Sequence, residues 1–433
     1  MNKKSWLILF MVFFAKAVDV HAQVETGVPF MTIPTSAQGN GMGGIAASLI
    51  TDDAISNIAN PAQSGIFGLD RTLSLSFYAP RTAWLPYFTS DMSIDATALS
   101  IGSRLDRALD LPMPVGLGVT YSRVYFDLGV FDLTSSEGPT IIGQYHPYEK
   151  TDNLTIGLGV DYVVKFGAGF TLKWIDSELA PSGSGQETNS ASAKVLAHDF
   201  GAIAQVPLVD LYGAILDDRP TFGNGVEPFL DLTFGYARRN IGPLVSYGNA
   251  SQGDPLPRQA VLGWNFEIGL RTDLNGNKLD LMSFMWGREA EDLIVNVTTD
   301  SVPSPGGIIY SNSIAYQSGL GDLRPWSNLI LGKTFNKIDL QTGWQFQIGE
   351  CLYIRGGWCN GVENWSYNSR GATFKLNGFL RMLKYIGLLG HEGAMESFLL
   401  NHLDIQYSMS NFTSNVNAAL NGTQFSSLNF VVR

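Results

Sequence analysis

The feature that most constrains this chain is alternation with a period of two, repeated over segments about ten residues long. From Ile338 to Ile348, Ile338, Leu340, Trp344, Phe346 and Ile348 fall on one face. Asp339, Gln341, Gly343, Gln345 and Gln347 fall on the other. Successive side chains of a β-strand point to opposite faces, so this pattern is a strand with one bulky apolar face and one small or polar face. Leu154–Tyr162, Phe166–Trp174, Leu230–Tyr236, Leu262–Leu270 and Leu403–Met409 repeat it. A water-soluble sandwich and a membrane barrel share this alternation. Three features favour the barrel. The segments match the roughly 9–11 residues of a tilted bilayer-crossing strand rather than the usual 5–6. Many begin or end in Trp or Tyr, as interfacial girdles require: Tyr78, Trp84, Tyr87, Trp174, Trp326, Trp358 and Tyr407. Small glycines crowd the non-apolar face.

Composition agrees. Charged residues make up 15% of the chain, against about 25% in soluble domains, while aromatics reach 12% and glycines number 47. No stretch past the N-terminal segment holds 18 uncharged apolar residues in a row, so helical spans are not expected. The net charge of −11 removes the electrostatic basis for nucleic-acid binding. The fold class expected is all-β, a transmembrane antiparallel barrel. Fifteen candidate strands appear: 70–79, 91–102, 114–126, 151–162, 165–177, 194–206, 228–238, 259–272, 277–288, 327–336, 337–349, 351–360, 371–382, 402–410 and 424–432. Barrels close with an even number, so one is spurious and fourteen are expected. Asn275-Gly276 and Gly349-Glu350 read as tight turns. Segments 127–150, 178–193, 208–227, 239–257, 289–325 and 383–401 read as external loops. Cys351 and Cys359, eight residues apart on one strand, would lie about 26 Å apart and stay free thiols.

The chain opens as a secretory signal. Lys3 and Lys4 precede the apolar run Trp6–Ala15, and Val20-His21-Ala22 predicts cleavage after Ala22. Residues 1–22 are therefore expected to be removed, 23–69 to form a compact non-strand segment plugging the lumen, and 70–433 to form the barrel. The plug is rich in small residues, which permit close backbone packing. It carries Gly41-Met42-Gly43-Gly44, then Asp52-Asp53-Ala54, then Asn57 and Asn60-Pro61-Ala62. This three-part stretch resembles the N-terminal hatch of the PorV/PorQ family, within the wider superfamily of FadL-like outer-membrane proteins. Gly343–Gly349 followed by Leu352–Trp358 is similar to that family's penultimate strand pair. The resemblance implies a fourteen-stranded barrel with an internal hatch, in the bacterial outer membrane. It implies one of two roles: a non-enzymatic docking or transfer component of type IX protein secretion, or passive transport of hydrophobic compounds such as long-chain fatty acids. The C-terminus departs from the common barrel ending, because Phe430 is displaced inward by Val431-Val432-Arg433.

Asp52, Asp53, Asn57 and Asn60 fit two roles, a hatch gate or satisfaction of buried hatch amides through turns, and the second is the simpler. Lys173, Arg271, Arg355 and Lys375 fall on the predicted lumen face with Asp161, Asp231, Glu267 and Asp339. They suit a bracing charge lattice or solute selection. Asp273, Asn275, Asn277 and Asp280 lack the terminal Glu of a calcium loop and read as a hairpin turn. His146, His198, His391 and His402 are scattered, and neither a nucleophile elbow nor a P-loop is present. No metal, no cofactor and no catalytic residue is expected. The expected partners are outer-membrane lipid, with secretion components and cargo under one role and a hydrophobic small molecule under the other.

Overall fold

The computed structural model describes residues 26–432 apart from 136, 137, 139, 181–190, 217–219, 248–252, 275, 305, 306, 335, 336, 363, 364 and 390–392. Residues 1–22, expected as a signal, and Asn275 and His391 lie outside the described residues. Among the described residues, fourteen antiparallel strands form one ring. They are β1 (Leu73–Tyr78), β2 (Ser93–Arg104), β3 (Val115–Asp127), β4 (Tyr148–Asp161), β5 (Lys165–Ala180), β6 (Ala191–Pro207) and β7 (Val226–Ile241). The ring continues with β8 (Gln259–Leu274), β9 (Asn277–Leu293), β10 (Ile338–Ile348), β11 (Leu352–Asn360), β12 (Tyr367–Lys375), β13 (Leu403–Thr413) and β14 (Gln424–Val432). Each pairs with its neighbours in sequence order. Leu73 of β1 is opposite both Val432 of β14 and Ile101 of β2, which closes the ring. Closure leaves no strand edge bare, the condition for backbone in hydrocarbon.

The side-chain alternation runs as the sequence indicates. Ile156, Phe170, Trp174, Phe234, Ile268, Ile348 and Met409 are exposed on the outer wall. The lumen side buries Asn153, Thr155, Thr171, Asn265, Gln345 and Ser408. Apolar groups outside and polar groups inside define an outer-membrane-type β-barrel. No helix among the described residues is long and apolar enough to cross a membrane. Above the apolar rows the outer wall turns ionic: Arg123 meets Asp152 at 2.7 Å and Lys150 meets Asp176 at 3.3 Å. That ladder marks where the taller strands leave the hydrocarbon.

The end carrying the start of β1 and the end of β14 is here the terminal end. It holds the tight connections Asp161–Lys165, Leu274–Asn277 and Ile348–Leu352, whereas the far end carries three strand pairs outside the ring, the short pair Val245–Ser246 with Gly253–Asp254 and the longer hairpins Phe131–Tyr145 and Val295–Tyr316. Short turns face the periplasm in such barrels, so the far end is the external one.

Several sequence expectations are corrected. Candidate strand 327–336 is absent from the ring: Trp326–Ile330 is a short π-helical turn. Its segment lies outside the wall, where Arg288 donates to the carbonyls of Leu329 and Ile330. Candidate 371–382 is half strand and half helix, because β12 stops at Lys375 and a helix follows. Strand parity puts 208–227 and 383–401 at the terminal end, so they are not external loops. Tyr78 and Trp84 are buried and pack against Phe425 rather than joining a girdle. Cys351 sits in the turn before β11, not on the strand, and both cysteines are free.

Candidate functional site

Residues 26–70 thread the lumen from the far end to the terminal end. Gly27 N donates to Pro255 O (3.0 Å) at the far-end mouth. The Phe30 ring stacks on Phe126 with centroids 6.3 Å apart. Helix α1 (Ala37–Gly41) follows, capped by Ser36, whose hydroxyl oxygen accepts from Gly39 N. Gly43 and Gly44 then take positive φ (+77° and +100°), a conformation that favours glycine. A β-carbon on Gly43 would also lie 2.7 Å from Thr342 O and from Trp358 N and O, so wall and hatch meet there backbone to backbone. Met42 is fully buried with Ile45, Leu49 and Met285.

The polar hatch residues serve hatch backbone. Asp53 caps the turn Ala54–Ile58 by accepting from Ile55 N (3.0 Å), and Asn57 donates to Ala54 O (3.0 Å). Asn60 donates to Ala47 O at 2.7 Å and reaches the wall carbonyls of Ala202 and Tyr236 at 3.2 and 3.3 Å. Asp52 instead ties the hatch to the closing seam. Its carboxylate meets Arg71 (3.1 Å) and Lys375 (3.6 Å), and its carbonyl accepts from Ser74 and Asn429. Pro61 begins the descent into helix α2 (Ala62–Asp70). That helix crosses the glycines of the lumen wall: a β-carbon at Gly118, Gly157, Gly169 or Gly201 would overlap Ser64, Gly65, Pro61 or Asn60.

The lumen charges do not form one lattice. Lys173 is buried and pairs with Asp199 at 2.6 Å, a partner not identified from sequence. Arg271 gathers Asp210, Asp231 and Asp280 at 3.7–3.9 Å. Glu267 accepts from Ser283 (2.5 Å) and Asp339 from Val362 N (2.7 Å). Arg355 bonds Gln345, Thr373 and hatch Gln38, and among the described residues has no carboxylate partner. One further hatch contact is not among the sequence expectations. Buried Glu289 accepts from the amides of Ala46, Ala47 and Ser48 at distances down to 3.0 Å. Parity along β9 puts it on the lumen face, but ending the candidate strand at 288 left it in a loop.

The hatch divides the lumen into two chambers. The far-end cavity, about 450 Å³, is walled by hatch residues 31–36 and by barrel residues. Met31, Ile33 and Trp365 supply apolar surface, with Lys337, Arg239 and Asp339 beside them. The terminal-end chamber, about 560 Å³, is nearly all ionic, with Arg71, Arg271, Arg381, Asp280, Glu350 and Asp404 among its lining.

No family model matches the chain, and no curated protein matches it. Solved structures resemble it weakly. The chain is similar to a TodX deltaS2S3 mutant monoaromatic hydrocarbon channel, with 13% identity and a TM-score of 0.41, covering 92% of this chain and 97% of that one. The Pseudomonas putida toluene transporter TodX shows 13% identity and a TM-score of 0.37, over 95% of this chain and 98% of that one. A Pseudomonas aeruginosa FadL homologue shows 11% identity and a TM-score of 0.34, over 92% and 97%. Likeness at this level says nothing about what this chain carries.

Proposed function

We propose that this protein is a passive, non-enzymatic outer-membrane channel for small amphipathic molecules, apolar bodies bearing a polar or ionic group, with residues 26–70 as its gate. The observation that carries the reading is the far-end cavity. It lies at the external end, the hatch forms one of its walls, and its volume of about 450 Å³ suits a small ligand rather than a folded domain. Met31, Ile33 and Trp365 supply apolar contact and Lys337 supplies charge for a polar head, while Arg239 is held by Glu291 (2.7 Å) in the same lining. The test is uptake of radiolabelled decanoate and of toluene into proteoliposomes. Saturable decanoate uptake that weakens several-fold in Lys337→Glu is expected. Uptake equal to protein-free vesicles contradicts the reading.

A second reading, docking of an exported protein in type IX secretion, draws support from the two far-end hairpins, Phe131–Tyr145 and Val295–Tyr316, which offer edges outside the ring. It predicts that the detergent-solubilised barrel co-purifies with secretion components, and that trimming both hairpins abolishes this.

A further inference from the structure

Two helices at the terminal end leave apolar faces open. Helix α4 (Leu208–Leu216) continues directly from β6, and helix α5 (Leu376–Tyr385) directly from β12. (Helix α3, Leu105–Leu109, is the shorter one between β2 and β3.) On α5 one side is tied to the barrel: Asn377 N donates to Asp404 (3.1 Å), and buried Arg381 pairs with Glu350 at 2.5 Å. The other side carries Leu376, Phe379, Leu380 and Leu383, and the next residue, Ile386, extends it. Phe379 and Ile386 are 41% and 56% exposed. The Phe379 ring lies 5.9 Å from that of Phe374, an outward-facing residue of the wall, so the two apolar surfaces are continuous. On α4, Asp210 turns toward Arg271 (3.7 Å), while Leu208, Tyr212, Ile215 and Leu216 are exposed along the opposite stripe. Leu208 prolongs the outward row of Leu196 and Phe200.

We infer that α4 and α5 lie in the phospholipid leaflet at the terminal end, as interfacial helices that complete the lipid-facing wall. For α5 the strand lengths support this, whereas α4 lies between the long strands β6 and β7 and rests on its exposed stripe alone. β11, β12 and β14 are nine residues each, whereas β5, β7 and β8 have 16. Nine residues run about 30 Å along a strand. At a tilt of about 40° that leaves roughly 23 Å of height, close to the ~25 Å apolar band of an outer-membrane barrel, so the band ends where these strands end. Helix α5 begins where β12 ends, at the edge of that band. One face holds polar anchors and the other a continuous apolar stripe, as in an interfacial helix.

The test uses the full-length barrel in phosphatidylcholine vesicles, with Cys351→Ser and buried Cys359 retained. A nitrobenzoxadiazole label is placed at Phe379→Cys or Ile386→Cys for α5 and at Tyr212→Cys or Ile215→Cys for α4. Phe374→Cys serves as the lipid reference and exposed Ser90→Cys as the water reference. Each protein is first checked for the gel shift of a folded barrel, and within each helix the two sites substitute for one another if one fails to fold. Brominated phosphatidylcholine is expected to quench the α4 and α5 labels about as strongly as Phe374→Cys and at least twofold more than Ser90→Cys. Quenching equal to Ser90→Cys on either helix overturns the inference. So does shielding that appears only when outer-membrane proteins are added back, since that result assigns the faces to a protein partner.

Discussion

Gly118 lies where α2 crosses β3, and a β-carbon there would overlap the Ser64 carbonyl oxygen. Gly118→Ala should therefore unseat the hatch, at a cost of about 1–3 kcal/mol as for other overpacked sites, while the ring stays closed. Guanidinium unfolding together with the folded-barrel gel shift checks both halves of that statement. Glu289→Ala should act at the same scale. It leaves the amides of Ala46, Ala47 and Ser48 without their acceptor, and each buried orphan costs about 1–3 kcal/mol. Hydrogen exchange at those three amides should rise at least tenfold, with Glu289→Gln intermediate. Outside the membrane, the hydrogen bond from Arg104 holds the Asp106 carboxyl well below its usual range, with Val115 N also donating to it. A depressed pKa stabilises the folded turn in full above about pH 4, and the contribution is lost as pH falls through the folded value. Exchange at Val115 should accelerate only in that acid range. Arg104→Ala should move the acceleration upward toward pH 4.

At the scale of elements, the wall was legible and its extensions were not. Alternation survives in every strand whose one face meets lipid, so β4, β5, β8 and β10 stand out from sequence. It fades where a strand outruns the bilayer. Candidate strand 277–288 stops where its alternation fades, although β9 continues to Leu293 inside the mouth and there holds Glu289. Apolar periodicity also misleads where a segment lies on the wall instead of in it. Trp326–Ile330 reads as strand because its bulky residues flank the outer face, yet its backbone forms a π-helical turn. The lumen glycines were visible as a count, but their purpose needed the hatch: they clear a path for α2. The hairpin Val295–Tyr316 pairs only with itself. Replacing 297–314 by a two-residue turn should leave the melting temperature within a few degrees, by circular dichroism, and the gel shift unchanged.

At the scale of the whole molecule, a closed ring solves the problem of backbone in hydrocarbon, and the hatch crosses the lumen that closure creates, leaving a chamber at each end. Asp52 binds the hatch to the seam where β1 meets β14, through Arg71, Lys375, Ser74 and Asn429. Closing the ring and seating the hatch therefore share residues. The hatch motifs could be read from sequence, but their wall partners could not, because pairs such as Gly43 with Ser369 or Ala47 with Glu289 are separated by hundreds of residues. The most direct measurement is conductance in a planar bilayer, comparing the intact barrel with one lacking residues 26–70. The intact protein should show little or no steady current, and the hatch-less ring should open a large, stable pore. A large steady current through the intact protein, or no change on removing the hatch, would contradict a lipid-embedded ring sealed from within.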